Sequence, residues 1–403
     1  MSRKAAEDRR NAHDFDPTAP ETFTSAHELY KEMRSKCPLA HSNEWGGFWM
    51  LSRYEDVVRV LKDYHTYTTS VQNVVPKVAF TGRRPPLHFD PPEHGVYRRV
   101  INKFFTKDKM ARIEPKVHRD VIELMEPMVR RGQAEIAADY AHKIPAYVFA
   151  EFFNLPREQS LTIKEISTTY VRAIMTFEDQ ERVKQLSYRL YDIARSVIAE
   201  RQKAPLDPEN DLTSALLVTT HEGRPLPYDM IVGCVRAMLV AGMIAPAVLI
   251  PSIFVHLAMH KDIQAMLRSD LSQIPAAVEE YLRLLTPYRG MSRTAKHDVV
   301  IHGQLIKKDE PIALNYASAN RDETVFPDRD KFILNRPNID KHIVFGEGPH
   351  KCPGAPLVRI MLRLTLEEAL KRTSDISLNG EITMTRWAEW GVLSAPIKFT
   401  AAA

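Results

Sequence analysis

The sequence predicts a mainly α-helical protein with a small β region. Three observations carry that class. Residues 25–204 are mostly amphipathic, with apolar side chains recurring at helical spacing, and strand-like alternation is confined to short segments. A run of nineteen residues from Ala237 to Val255 carries no charge. By length alone that run could cross a membrane. Pro246 and Pro251 interrupt it, Arg236 and His256 bracket it, and polar helical sequence lies on both sides, so it reads as a central helix wrapped by protein.

The elements follow in order. Residues 1–16 are crowded with Arg, Lys, Asp and Glu and lack an apolar core, so they read as a frayed tail rather than a signal peptide or anchor. The main domain is placed over 21–403. An aromatic, β-rich stretch from Trp45 to Leu51 precedes a helix starting near Tyr54. Thr66 to Leu87 holds Pro76, Gly82, Pro85 and Pro86 without periodicity and reads as a long loop with a functional reason. Asp90-Pro91-Pro92-Glu93 opens a helix with a proline-led acidic turn. Beyond the apolar run come a helix from Ile274 to Leu285, strands over Ser292–Ile301 and Pro311–Tyr316, a Pro/Gly-rich coil, and a helix from Ala355 to Arg372.

Composition narrows the function. The 55 basic and 51 acidic residues leave a net charge of +4, a mixed surface with no basic block for nucleic acid. Cys37, Cys234 and Cys352 are odd in number and far apart, which argues against a disulfide framework and for a reducing cytoplasm.

Chemistry concentrates in Phe345-Gly346-Glu347-Gly348-Pro349-His350-Lys351-Cys352-Pro353-Gly354-Ala355. Glycines there let backbone approach a bulky planar group, while amides at the start of the next helix can face the sulfur and favour its thiolate, a good metal ligand. Zinc is disfavoured because no second Cys or His stands at finger-like spacing.

This loop resembles the haem-binding signature of the cytochrome P450 family, Phe-Gly-x-Gly-x-His-x-Cys-x-Gly, at every defining position. Glu280-Tyr281-Leu282-Arg283 is similar to the family's Glu-x-x-Arg helix motif, and Phe332 to Arg336 to the segment supplying its third member. The resemblance implies a P450 fold, haem b with Cys352 as its iron ligand, and a network of Glu280, Arg283 and Arg336 that fixes the cysteine loop. It further implies haem contacts from Phe345, Gly346 and Gly354, and propionate contacts from His94, Arg98, Arg293 and His350. His94 and Arg98 stand one helical turn apart, which suits that task.

Two positions depart from the family pattern. Ala241-Gly242 resembles the pair nearest the reacting oxygen, but Met243-Ile244-Ala245-Pro246 follows where relatives carry an acid and then threonine. Neither Ile244 nor Ala245 can donate a proton. Pro246 lacks an N–H and should free the Gly242 carbonyl to hold water. Pro353, directly after the cysteine, removes one amide that could reach the sulfur and should leave the thiolate more electron-rich.

By the same resemblance the substrate pocket is lined by Val75, Phe80, Ala241, Ile244, Ala245, Tyr288, Met291 and the segment around Val392. Lys77, Arg83 and Arg84 in the long loop are candidates for holding a carboxylate. The function implied is a haem-thiolate monooxygenase for a small apolar or aromatic substrate. Its electrons would come from a separate ferredoxin or flavodoxin docking on Lys103, Lys107, Lys109, Arg112, Arg359 and Arg363. A peroxide-driven peroxygenase and a non-catalytic haem sensor are the alternatives.

Overall fold

The structure is a computed structural model and describes residues 12–78, 80–175 and 179–402. Helices dominate. The 25-residue helix Lys107–Arg131 starts where the Thr106 side chain accepts from Lys109 N–H, and ends at Gly132, whose φ of +73° closes the last turn. It packs along Ala355–Arg372, whose bounds match the sequence reading. Val117, Val121, Met125, Leu362 and Leu366 are buried in the main core these helices share, each contributing about 1.5–3 kcal/mol. Tyr140 and Thr365 join their hydroxyls across the core at 2.7 Å.

The β region is peripheral. A five-stranded sheet runs Leu39–Ser42, Phe48–Leu51, Pro311–Leu314, Met291–Ala295 and Tyr67–Thr68. Only the pairing of Phe48–Leu51 with Pro311–Leu314 is parallel; Ile312 stands opposite both Trp49 and Arg293. A three-stranded sheet joins Thr373–Leu378, Pro396–Ala401 and Gln133–Glu135.

Three expectations change. The apolar run is two helices, Tyr228–Ala241 and Ala245–Met259, parted at Gly242–Ile244. Pro246 starts the second helix and has no N–H to offer backward. The whole stretch is apolar enough to span a membrane, but 72% of its most apolar window is buried in protein, the environment of a core helix. The strand expected over Ser292–Ile301 divides into Met291–Ala295 and Val299–Ile301, and that over Pro311–Tyr316 stops at Leu314 because the Asn315 side chain caps a short helix through Ser318 N–H. Residues 12–20 are not a frayed tail. Asp14 exchanges hydrogen bonds with the backbone of His41, and Phe15 is buried against Phe48 and Trp387. Residues 1–11 lie outside the described residues.

Candidate active site

Cys352 sits where the coil meets the helix Ala355–Arg372. Its N–H donates to the Phe345 carbonyl at 2.8 Å, and Gly346, at φ +70°, donates to Ile343 O at 2.8 Å, so the loop folds back on itself. The amides of Gly354 and Ala355 both favour the thiolate, as do Arg98 and Arg359, although burial outweighs them and raises the thiol. The side chain nevertheless keeps accessible surface. Gly348 has another role than close approach to a planar group: a Cβ there would overlap the Leu61 carbonyl, so glycine lets the loop seat on the helix Tyr54–Lys62.

The loop is tied down from behind. Glu280 takes Arg283 at 2.7 and 2.8 Å and Arg336 at 3.0–3.2 Å, and it also accepts from Ile333 N–H. All three side chains are almost fully buried. Arg283 continues to the Asn320 carbonyl, and the Asn320 side chain accepts from Ile343 N–H at 2.7 Å. Ile343 in turn accepts from Gly346, so an unbroken hydrogen-bonded route runs from Glu280 to the cysteine loop. Glu279 adds a second tie, accepting from Arg359 at 2.6 and 2.9 Å and from His342 at 2.9 Å, contacts that hold its carboxyl down at about 2 against burial.

His94, Arg98, Arg293 and His350 gather beside the cysteine. The His94 and His350 rings lie 4.5 Å apart, edge to face, and Thr69 Oγ1 stands 3.3 Å from His350 Nε2. Burial and the neighbouring arginines push His94 down to about 4 and His350 to about 2. Among the described residues none of the four has an ion-pair partner: Arg98 and Arg293 reach only neutral groups (Asn102 Oδ1 and the carbonyls of Lys351 and Ser292), and His94 Nε2 is buried without a partner. The nearby Asp90 is occupied by Lys296 at 2.9 Å. A nest of donors without an anionic partner, beside a cysteine whose Gly354 and Ala355 amides face it, fits a planar iron cofactor carrying two carboxylates.

At the helix break, Gly242 presses on Phe149, whose ring a Cβ would overlap. Ala247 N–H bonds Ile244 O at 3.1 Å instead of reaching back to Met243. The freed Met243 carbonyl accepts from Lys164 Nζ at 2.5 Å. Lys164 on the Met243 carbonyl thus marks the broken turn. Lys164 is 4% exposed, and burial lowers its ammonium to about 8. Ala241 is exposed, while Ile244 and Ala245 are half-buried. Sequence reasoning missed Lys164 because it lies 79 positions from Met243 on an ordinary amphipathic helix, Arg157–Met175.

The expected pocket residues stand in different surroundings. Val75 is packed with Phe15, Trp387 and Ala388, its carbonyl taken by Trp387 Nε1 at 2.9 Å. Phe80 is 64% exposed beneath Arg83, and Val392 is core, its N–H bound to Ser252. Met291 is half-buried in the small sheet. Tyr288 is half-buried, and burial, then Glu389 and Cys352, push its phenol up. Glu389, also missed, has a buried Oε1 without a partner and a carboxyl raised by burial to about 7. On the basic face, Arg359 is taken by Glu279 and Arg363 by Glu114 and Glu367. Lys109 is held by Asn210, which leaves Lys103, Lys107 and Arg112 exposed.

A family model described as Cytochrome P450 matches residues 43–374. The chain is 31% identical over 361 residues to a mycinamicin IV hydroxylase/epoxidase from Micromonospora griseorubida, covering 87% of this chain and 88% of that protein. It is 29% identical over 374 residues to a cytochrome P450 from Bacillus subtilis (strain 168), covering 90% of each. Among solved structures, CYP109Q5 from Chondromyces apiculatus superposes with a TM-score of 0.86 at 29% identity, covering 96% of this chain and 99% of that one. By the family model over residues 43–374 and by this breadth of likeness, the chain belongs to the cytochrome P450 family of haem-iron oxidoreductases.

Proposed function

We propose that this monooxygenase inserts one atom of dioxygen into an organic substrate using haem b ligated by Cys352. The observation that carries the reading is Cys352, backed by the Gly354 and Ala355 amides, beside the unpaired His94–Arg98–Arg293–His350 nest. When bound, the haem supplies the redox chemistry of oxygen activation. The chain's own residues do the rest. Glu280, Arg283 and Asn320 fix the loop, and the nest orients the propionates.

Pro353 limits the sulfur's amide donors, which favours an electron-rich thiolate. Lys164 supplies what Ile244 and Ala245 lack, a titratable proton held at Met243 O, and a group near 8 can both give and regain a proton near neutral pH. Electrons come from a separate ferredoxin or flavodoxin, for which Lys103, Lys107 and Arg112 offer an exposed basic patch. Three cysteines in no disulfide suit the cytoplasm.

The test is turnover under isotopically labelled dioxygen with a ferredoxin or flavodoxin couple as donor. One labelled atom in the product supports the reading. Product formed only with added peroxide, and carrying peroxide oxygen, would replace it with the peroxygenase.

A further inference from the structure

Two arginines, Arg236 buried and Arg84 half-buried, lie beyond the haem nest with no acid among the described residues to meet them. Arg236, on the helix Tyr228–Ala241, is 2% exposed. Its guanidinium lies 5.0 Å from the Tyr170 ring and 5.6 Å from the Tyr191 ring, with Nη2 3.4 Å from Ser187 Oγ. Arg84 comes from the long loop to the same place. Burial and Arg236 lower its charge affinity, while Tyr170 and Tyr191 support it. Burial would raise the Tyr170 phenol, yet Arg236 and Arg84 outweigh it and hold the phenol below its ordinary value. His88 is driven to about 3 by burial and by Arg84, Arg83 and Arg236. Among the described residues no Asp or Glu forms an ion pair with Arg84 or Arg236, and the Nε of each is buried without a partner.

The placement is built into the fold. Gly233, three residues before Arg236, has no room for a Cβ because the Arg83 carbonyl lies against it, and Gly82 lies against the Tyr191 hydroxyl. The loop is pinned further by Thr81 Oγ1 to Ser187 Oγ at 2.7 Å. Buried guanidinium groups without a counter-charge are costly, and a carboxylate takes such forks bidentately.

We propose that Arg84 and Arg236, with Tyr170, Tyr191 and Ser187, form the carboxylate-binding end of the substrate pocket, so that the substrate is an organic acid oxidised at its far end. The inference rests on the monooxygenase reading and names the substrate class of that same site. Arg236 precedes Gly242 by six residues, about 9 Å of helix axis. A para-alkylbenzoate or a medium-chain fatty acid spans that interval from its carboxylate to the carbon to be oxidised.

The test titrates the haem absorption band of the holoenzyme with para-alkylbenzoates and medium-chain fatty acids against their primary amides. Wild type should prefer acid over amide by about ten- to a hundredfold, the worth of hydrogen bonds to a charged group. Arg84→Gln and Arg236→Gln should each remove most of that preference by weakening acid binding far more than amide binding. If one variant fails to fold, the other decides. Equal binding of acid and amide, no band shift by any acid in the panel, or a preference that survives in the variants overturns the inference. In the same samples, imidazole binding and the thiolate band of the reduced carbon monoxide complex report on the haem site alone. Their loss would count against the monooxygenase reading, and their presence without acid preference counts only against the carboxylate site.

Discussion

Lys164→Met exchanges a buried ammonium for an apolar chain of similar length. An ammonium lowered from 10.5 to about 8 carries a penalty of about 3 kcal/mol for staying charged in the folded protein, at about 1.4 kcal/mol per pH unit. The bond to Met243 O returns about 1.5–3 kcal/mol, so the variant should lie within about 1–2 kcal/mol of wild type at pH 7. The pH dependence has a definite sign. Between about 8 and 10.5 the unfolded chain holds the Lys164 proton and the folded chain has released it, so wild-type stability rises with pH relative to Lys164→Met across that window. Denaturant midpoints of both proteins from pH 7 to 10 measure this. Coupling, taken as product formed per nicotinamide consumed, should fall at least severalfold in the variant because the broken turn has lost its titratable proton. A pH-independent stability difference would refute the buried-charge argument, and unchanged coupling would refute the proton role.

Other consequences follow from the same geometry. His94→Ala and Arg98→Ala should each speed haem transfer to an acceptor apoglobin, since each removes a donor from the nest; unchanged transfer in both would remove that role. Glu280→Gln leaves Arg283 and Arg336 without their shared carboxylate and should cost about 3–5 kcal/mol, whereas Asn320→Ala should cost about 1–3 kcal/mol and loosen the cysteine loop, read as conversion of the thiolate band to the thiol form. Gly242→Ala forces a Cβ into the Phe149 ring and should cost about 1–3 kcal/mol, recovered by Phe149→Leu; a neutral Gly242→Ala would contradict the packing at the break.

The residues legible in the sequence were those whose chemistry is local. The cysteine loop, the Glu280–Arg283 spacing and the His94–Arg98 turn announce themselves within a few positions, because one loop or one helical turn creates the contact. Helix Ala355–Arg372 was readable for the same reason, through its proline-led start and apolar period. What escaped depends on distant chain segments meeting. Lys164 reaches Met243 only because the helix Arg157–Met175 crosses the broken turn, and Asn320 bridges Arg283 to Ile343 across 37 and 23 positions. The surroundings of Val75, Phe80 and Val392 were not legible because an apolar side chain carries no mark distinguishing a pocket wall from core or surface. The loop arginines were visible as charges, but the meeting of Arg84 with Arg236 came only from the packing of the loop on the helix.

The central claim is that Cys352, alone among the three cysteines, ligates the haem iron. The direct measurement is the absorption of the reduced carbon monoxide complex in wild type, Cys352→Ala and the double variant Cys37→Ala/Cys234→Ala. The account predicts the red-shifted thiolate band in wild type and the double variant and its loss in Cys352→Ala. Retention of that band in Cys352→Ala, or its loss in the double variant with haem still bound, would contradict it.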